Sequence, residues 1–193
     1  VPCTAGGKVY WQGETGPDLN YEVFRAQVTS SGRPFVDVPG SHHYVEAIEG
    51  LYYLTIVDGR RIVGGKRYYD PQEPVNRAQF AKMVTGTLGV SIETVSGAAA
   101  FVDLGDADAN GYPHKYVATI LKHGITQGVD ATHYGPWRPI KRAQVVTMIV
   151  RAANNLRAGF LLDPPAGYVG SLPGYTSPDH AQNLKIAEFN GLL

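Results

Sequence analysis

Tyr69-Asp70-Pro71-Gln72-Glu73-Pro74-Val75-Asn76-Arg77-Ala78-Gln79 and Tyr134-Gly135-Pro136-Trp137-Arg138-Pro139-Ile140-Lys141-Arg142-Ala143-Gln144 are two copies of one phrase. Tyr, both Pro, Arg, Ala and Gln are identical at a constant offset, and the match runs on through Met83 over Met148 and Val84 over Ile149. Upstream, Phe35-Val36-Asp37-Val38 stands over Phe101-Val102-Asp103-Leu104. Between these blocks, Ile48 to Thr55-Ile56-Val57-Asp58-Gly59 matches Val117 to Gly124-Ile125-Thr126-Gln127-Gly128. Three blocks in one order mean a duplicated structural unit, and such units stack to bury a face that one copy cannot bury alone.

A third copy begins at Leu161-Leu162-Asp163-Pro164, which echoes the Phe-Val-Asp block. It continues through His180 to Gly191-Leu192-Leu193. Each unit reads as helix, loop, helix. The first helices are expected over about His43–Leu54, Pro113–His123 and Pro178–Asn190. Tyr44, Ala47, Ile48, Leu51 and Tyr52 lie at the three-and-four spacing of one apolar face. Ser41 is a candidate N-cap, and Gly124 and Gly191 can stop the helices they follow. The second helices are expected over about Arg77–Leu88, with Phe80, Met83, Val84 and Leu88 inward, and Arg142–Asn155, with Val145, Met148, Ile149 and Ala152 inward. The organisation is an N-terminal linker or end of a strand-rich region over 1–33, repeats over 34–95 and 100–157, and a partial third repeat over 158–193. Tyr21 to Thr29 is rich in β-formers. Its Arg25-Ala26-Gln27 reads as a chance match to the helix starts, with a degenerate half-repeat as the alternative.

Composition narrows the function. The 193 residues carry 17 basic and 17 acidic side chains, so nucleic-acid binding through bulk positive charge is not expected. Hydrophobic residues make up 44% and charged residues 18%, enough for a core. Gly 23 and Pro 13 predict much turn and loop. With Cys3 as the one cysteine, neither a disulfide framework nor a cysteine zinc site is available. No apolar run reaches the roughly 20 residues of a membrane span. No signal peptide is visible, and a start at Val1-Pro2-Cys3 is compatible with one already removed. The few charges and many Tyr, Gly and Pro point to an exported protein.

The assembled blocks resemble the S-layer homology family. Its repeat opens with Phe-x-Asp-Val-Pro and passes through a helix to a Gly-Ile-x-x-Gly turn. A Phe/Tyr-x-Pro loop follows, then Ile-Thr-Arg-Ala-Glu at the start of a second helix. The chain gives Phe35-Val36-Asp37-Val38-Pro39, Thr55-Ile56-Val57-Asp58-Gly59, Tyr69-Asp70-Pro71 and Val75-Asn76-Arg77-Ala78-Gln79 in the first repeat. The second gives Phe101-Val102-Asp103-Leu104, Gly124-Ile125-Thr126-Gln127-Gly128, Tyr134-Gly135-Pro136 and Ile140-Lys141-Arg142-Ala143-Gln144. The resemblance covers about residues 34 to 193. It implies a mainly α fold in which helix-loop-helix repeats form a pseudo-threefold bundle. It also implies grooves that hold a secondary cell-wall polysaccharide, often one carrying a ketal-linked pyruvate, with the motif Arg supplying positive charge. The task implied is non-covalent anchoring of an exported protein at the bacterial cell surface. Both Glu positions of the family motif are Gln here, and neither motif Thr is present.

The motif separates into two jobs. Thr-x-x-Glu at a helix start is a capping box. Asn76 and Gln79 retain that chemistry, whereas Lys141 cannot cap and Gln144 is expected to lose its partner. Arg77 and Arg142 sit in a first helical turn, where the macrodipole disfavours a cation. An anion held by the guanidinium fork and the first-turn N–H groups would offset that. The alternative is an Arg paired with a nearby carboxylate or carbonyl, such as Asp37 or Asp103. Sugar recognition also uses aromatic faces with convergent polar groups. Tyr69 and Tyr134 are candidates for core plugs or for such platforms. Trp137 stands where the first repeat has Gln72, so the scaffold does not require it. The candidate ligand residues are Arg77, Arg142, Gln79, Gln144, Asn76, Lys141, Trp137, Tyr69 and Tyr134. The loop from Gly59 to Tyr69 carries Arg60, Arg61, Lys66 and Arg67 and reads as a solvated tip or a ligand-contacting loop.

Catalysis finds little support. Six histidines are present, without HExxH-type spacing. No nucleophile elbow or phosphate loop occurs. Asp106-Ala107-Asp108-Ala109-Asn110-Gly111 starts like a calcium loop, but the twelfth position is Val117 rather than Glu. No cofactor, metal, nucleic-acid partner or membrane insertion is expected. The expected partner is the polysaccharide. The alternative is a structural subunit of a surface layer or filament that assembles through its repeats with other copies of itself or another surface subunit, with glycan binding secondary or lost.

Overall fold

The computed structural model describes residues 3–5, 8–15, 20–27, 32–93, 101–171 and 177–193. The expected boundaries at 95 and 100, and the start at Val1-Pro2, lie outside the described residues. Two compact units divide the chain, Val1–Glu73 and Pro74–Leu193. The first repeat therefore contributes its first helix to one unit and its second helix to the other.

In the N-terminal unit, β1 (Cys3–Ala5), β2 (Lys8–Thr15) and β3 (Asn20–Gln27) form an antiparallel sheet in that order, with Tyr10 of β2 opposite Arg25 of β3. The strand-rich expectation holds, and Arg25-Ala26-Gln27 lies in a strand rather than at a helix start. Helix α1 is Val45–Tyr53, two residues shorter at its start than the periodicity suggests. Ser41 does not cap it. Tyr44 occupies the cap position without a side-chain bond, and the chain enters through turns in which His42 N–H meets Pro39 C=O and Val45 N–H meets His42 C=O. The core is Phe35, Val38 and Ile48, with Val45, Tyr52 and Tyr69 against it. The expected inward face is too wide. Tyr44 is 62% exposed and Ala47 is also exposed.

The charged stretch after Gly59 is an ordered hairpin of β4 (Arg61–Val63) and β5 (Lys66–Tyr68), turned by Gly64-Gly65, both at positive φ. Such a two-glycine turn matches the twist of a tight hairpin. Arg61 makes a bidentate pair with Asp70, both bonds 2.9 Å, and stacks on Tyr68. Arg67 donates to the Asp58 carbonyl at 3.1 Å.

In the C-terminal unit, α2 (Arg77–Leu88) packs on α3 (His114–Lys122), and α4 (Arg142–Leu156) packs on α5 (Ala181–Phe189). The second helix of each repeat thus lies on the first helix of the next. The larger core joins Val117, Ala118, Ile120 and Ile125 to Phe101, Leu104, Tyr134, Ala81, Val84, Met148 and Ala152. Each fully buried Val, Leu or Ile side chain here contributes roughly 1.5–3 kcal/mol. A second core holds Val146 and Val150 of α4 with Leu161, Ile186 and Ala187, which gives the third copy a packed place in the fold. Helix α4 therefore buries two faces. The expected single stripe fails at Ile149, which is 44% exposed, because the α5 side takes Val146 and Val150 instead.

Candidate functional site

The Asp of each Phe-x-Asp block holds the Tyr-x-Pro loop of its own repeat. Asp37 accepts the backbone N–H groups of Tyr69 and Asp70 at 2.9 and 2.7 Å. Asp103 accepts those of Tyr134 and Gly135, both at 2.8 Å. Burial opposes the charge on Asp103, but the N–H bonds from Tyr134 and Gly135 outweigh it and hold its pKa below the usual carboxylate value. The sequence alone offers these carboxylates only as partners for Arg. Their repetition beside the Phe blocks was the available signal, but a carboxylate that binds backbone N–H groups has no partner side chain to reveal it.

The clamped loop of the second repeat receives the start of α2. Arg77 N–H donates to Arg138 C=O at 3.1 Å, Ala78 N–H to Pro136 C=O at 2.9 Å, and Ile140 N–H to Val75 C=O at 2.9 Å. Gln79 N–H goes to Asn76 Oδ1 at 2.8 Å, and Gln79 Oε1 accepts Asn76 N–H at 2.9 Å. The capping box expected there is present. The first-turn N–H groups of Arg77, Ala78 and Gln79 are all occupied by protein acceptors, so they are not the anion cradle that the sequence suggested.

Arg77 itself is 3% exposed. Its Nε–H donates to the Tyr134 carbonyl at 2.7 Å, and its guanidinium lies 4.6 Å from the centre of the Tyr134 ring. The Tyr134 hydroxyl returns a bond to the Arg77 carbonyl at 2.9 Å. Burial pushes the Arg77 pKa down and the Tyr134 pKa up. The acceptor is the carbonyl of the pairing alternative, and Tyr134 is a buried plug. Tyr69, its counterpart, is half-buried against Phe35 at a ring distance of 5.3 Å.

The same motif at α4 is open. Arg142 and Lys141 are exposed. Among the described residues, neither the Arg142 side chain nor the Arg142 and Ala143 N–H groups have a hydrogen-bond or ion-pair partner. Lys141 provides no side-chain cap, as expected. Gln144 nevertheless keeps a partner, contrary to expectation, because its Oε1 accepts Lys141 N–H at 3.0 Å. That half of the capping box needs only the backbone of the cap residue. Trp137 is 56% exposed, beside Tyr112 at a ring distance of 6.0 Å. The Asp106–Gly111 stretch is a turn in which Asp108 Oδ1 accepts the N–H groups of Asn110 and Tyr112 at 2.8 and 2.9 Å.

No helix among the described residues is long and apolar enough to cross a membrane. Residues 34–81 and 101–146 match the S-layer homology domain. The chain is 31% identical to an S-layer protein of Bacillus licheniformis over 66% of this chain and 14% of that protein. It is 29% identical to a cell surface protein of Thermoanaerobacter kivui over 70% of this chain and 17% of that protein. It is 30% identical to S-layer protein EA1 of Bacillus anthracis over 66% of this chain and 14% of that protein. The chain thus spans between 14% and 17% of the length of these relatives. The stacked helix pairs, the Asp-clamped Tyr-x-Pro loops and the two matched repeats assign the chain to the S-layer homology family of cell-surface modules, which anchor surface proteins to the cell envelope.

Proposed function

We propose that this module is non-catalytic and anchors its parent protein by holding an acidic secondary cell-wall polysaccharide, with Arg142 as the principal cationic contact. The observation that carries this reading is the contrast between the closed start of α2 and the open start of α4. At α4 an exposed guanidinium, the exposed Lys141 and two N–H groups with no acceptor among the described residues converge at a helix N-terminus, where the dipole also favours an anion. A carboxylate such as a ketal-linked pyruvate suits the planar Arg fork. Arg77 serves the same reading indirectly, by fixing the second-repeat loop. The test is co-sedimentation with purified pyruvylated cell-wall polysaccharide. Arg142→Ala abolishes retention, Arg142→Lys restores part of it, and full retention by Arg142→Ala rejects the assignment.

A second reading has support in the same contrast. The start of α2 is closed by a Tyr-x-Pro loop, so a similar loop from another copy would suit the start of α4. Concentration-dependent assembly that survives Arg142→Ala without polysaccharide would favour a structural subunit.

A further inference from the structure

The second repeat carries a set of side chains that the first repeat lacks at the same positions; of these, Tyr116 also packs partly against the core. Thr55 and Gly124 hold the same left-handed position after α1 and α3, at φ 58° and 66°. Counting back from them places Tyr112, Lys115 and Tyr116 over His43, Glu46 and Ala47. Counting on from Tyr69 and Tyr134 places Trp137 over Gln72. Three aromatics and a cation thus replace residues with which the first repeat forms the same elements. They are also adjacent in space. Tyr112 lies 6.0 Å from Trp137 and 6.1 Å from Tyr116 between ring centres, and Lys115 Nζ is 5.0 Å from the centre of the Tyr116 ring. Trp137 is 56% exposed, and both tyrosines are partly exposed. Among the described residues no carboxylate pairs with Lys115.

We propose that Tyr112, Tyr116 and Trp137 form a second contact surface for an acidic glycan, on which a sugar ring stacks while Lys115 meets its carboxylate. The inference rests on the anchoring reading above and adds Tyr112, Lys115 and Tyr116, which lie outside the repeated phrase that carries Arg142. Rigid aromatic faces bury the C–H side of a sugar with little loss of side-chain entropy, and an unpaired ammonium at the edge selects an acidic polymer. A neutral apolar partner would leave Lys115 desolvated without a counter-charge.

The chain has two tryptophans, Trp11 and Trp137, so Trp11→Phe leaves Trp137 as the sole indole reporter. This variant is titrated with purified pyruvylated cell-wall polysaccharide and with the same polymer after mild-acid removal of pyruvate. The expected result is a blue-shifted, saturable Trp137 emission. In the same assay, Trp137→Ala weakens binding about tenfold and Trp137→Phe stays within about threefold. Thermal midpoints of these variants stay near the parent's. Lys115→Gln weakens binding of the pyruvylated polymer alone. An unchanged emission together with parental affinity for Trp137→Ala overturns the platform. The anchoring reading still stands in that case if Arg142→Ala abolishes retention. Absence of binding by the parent overturns both.

Discussion

Arg77 and Tyr134 hold each other at both ends. The guanidinium Nε–H meets the Tyr134 carbonyl at 2.7 Å while the Tyr134 hydroxyl meets the Arg77 carbonyl at 2.9 Å. This reciprocal pair joins the second helix of one repeat to the loop of the next. It turns a cation that the helix dipole disfavours into a buried part of the stacking.

The two motif arginines should therefore differ when truncated. Arg77→Ala removes a buried charge-assisted bond and leaves the Tyr134 carbonyl without its partner, a loss of about 2–3 kcal/mol. Arg77→Lys recovers little, because a lysine has neither the Nε–H that reaches the Tyr134 carbonyl nor the planar cation that lies against the Tyr134 ring. Arg142→Ala, at an exposed position, changes stability by no more than about 0.5 kcal/mol. Urea denaturation of the three variants checks this, and equal destabilisation by Arg77→Ala and Arg142→Ala would contradict the structure.

The loop clamps make the fold sensitive to acid. The folded-state pKa of Asp103 is depressed, chiefly by the Tyr134 and Gly135 N–H groups working against burial. Asp130 is held at about 2 by the Thr132 N–H and the His133 side chain. Depressed carboxylates add stability that is present above their ordinary pKa of about 4 and is lost as pH falls through the folded values. The thermal midpoint should be level above pH about 5 and fall between about 4 and 2. Asp103→Asn keeps one acceptor and turns an NH2 group toward a backbone N–H. It should lower stability at neutral pH by about 2 kcal/mol and shrink the acid-dependent drop.

The helix pairs were legible in the repeated phrases, because the spacing of Ile48, Val117, Phe80 and Val84 is set locally. The second buried face of α4 was not, since periodicity cannot count neighbours and Val146 acquires its partners from a segment forty residues on. The different fates of Arg77 and Arg142 were also hidden. Their triplets are identical, and the difference comes from whether a clamped Tyr-x-Pro loop lies against the helix start. The exposed Trp137 was legible as an oddity against Gln72. Its pairing with Tyr112 required the fold.

The closing glycine of the Gly-Ile-x-x-Gly turn is a steric requirement as well as a conformational one. At Gly128, φ is 83°, and an added Cβ would lie 2.5 Å from the Asp130 carbonyl oxygen and 2.6 Å from the Phe101 ring. Gly59, its counterpart, would meet Phe35 at 2.7 Å and the Tyr68 carbonyl at 2.8 Å. Gly128→Ala should cost about 3 kcal/mol, combining left-handed strain with displacement of a buried ring. Gly64→Ala at the hairpin tip meets nothing within 4 Å and should cost only about 1 kcal/mol. Matched thermal melts of the two variants separate steric from conformational effects.

Thr55 offers the opposite case. It follows α1 in the left-handed region at φ 58°, where the second repeat has Gly124 at 66° and the third has Gly191 at 70°. A β-branched residue is strained there by roughly 1–2 kcal/mol, whereas glycine is not. Thr55 is exposed, so its side chain contributes little packing to set against that strain. Thr55→Gly gains a little unfolded-chain entropy, which offsets part of the relief. The net expectation is a gain of about 1 kcal/mol, seen as a later urea midpoint at unchanged slope. A loss of stability would mean that Thr55 makes a contact in solution that outweighs its backbone strain.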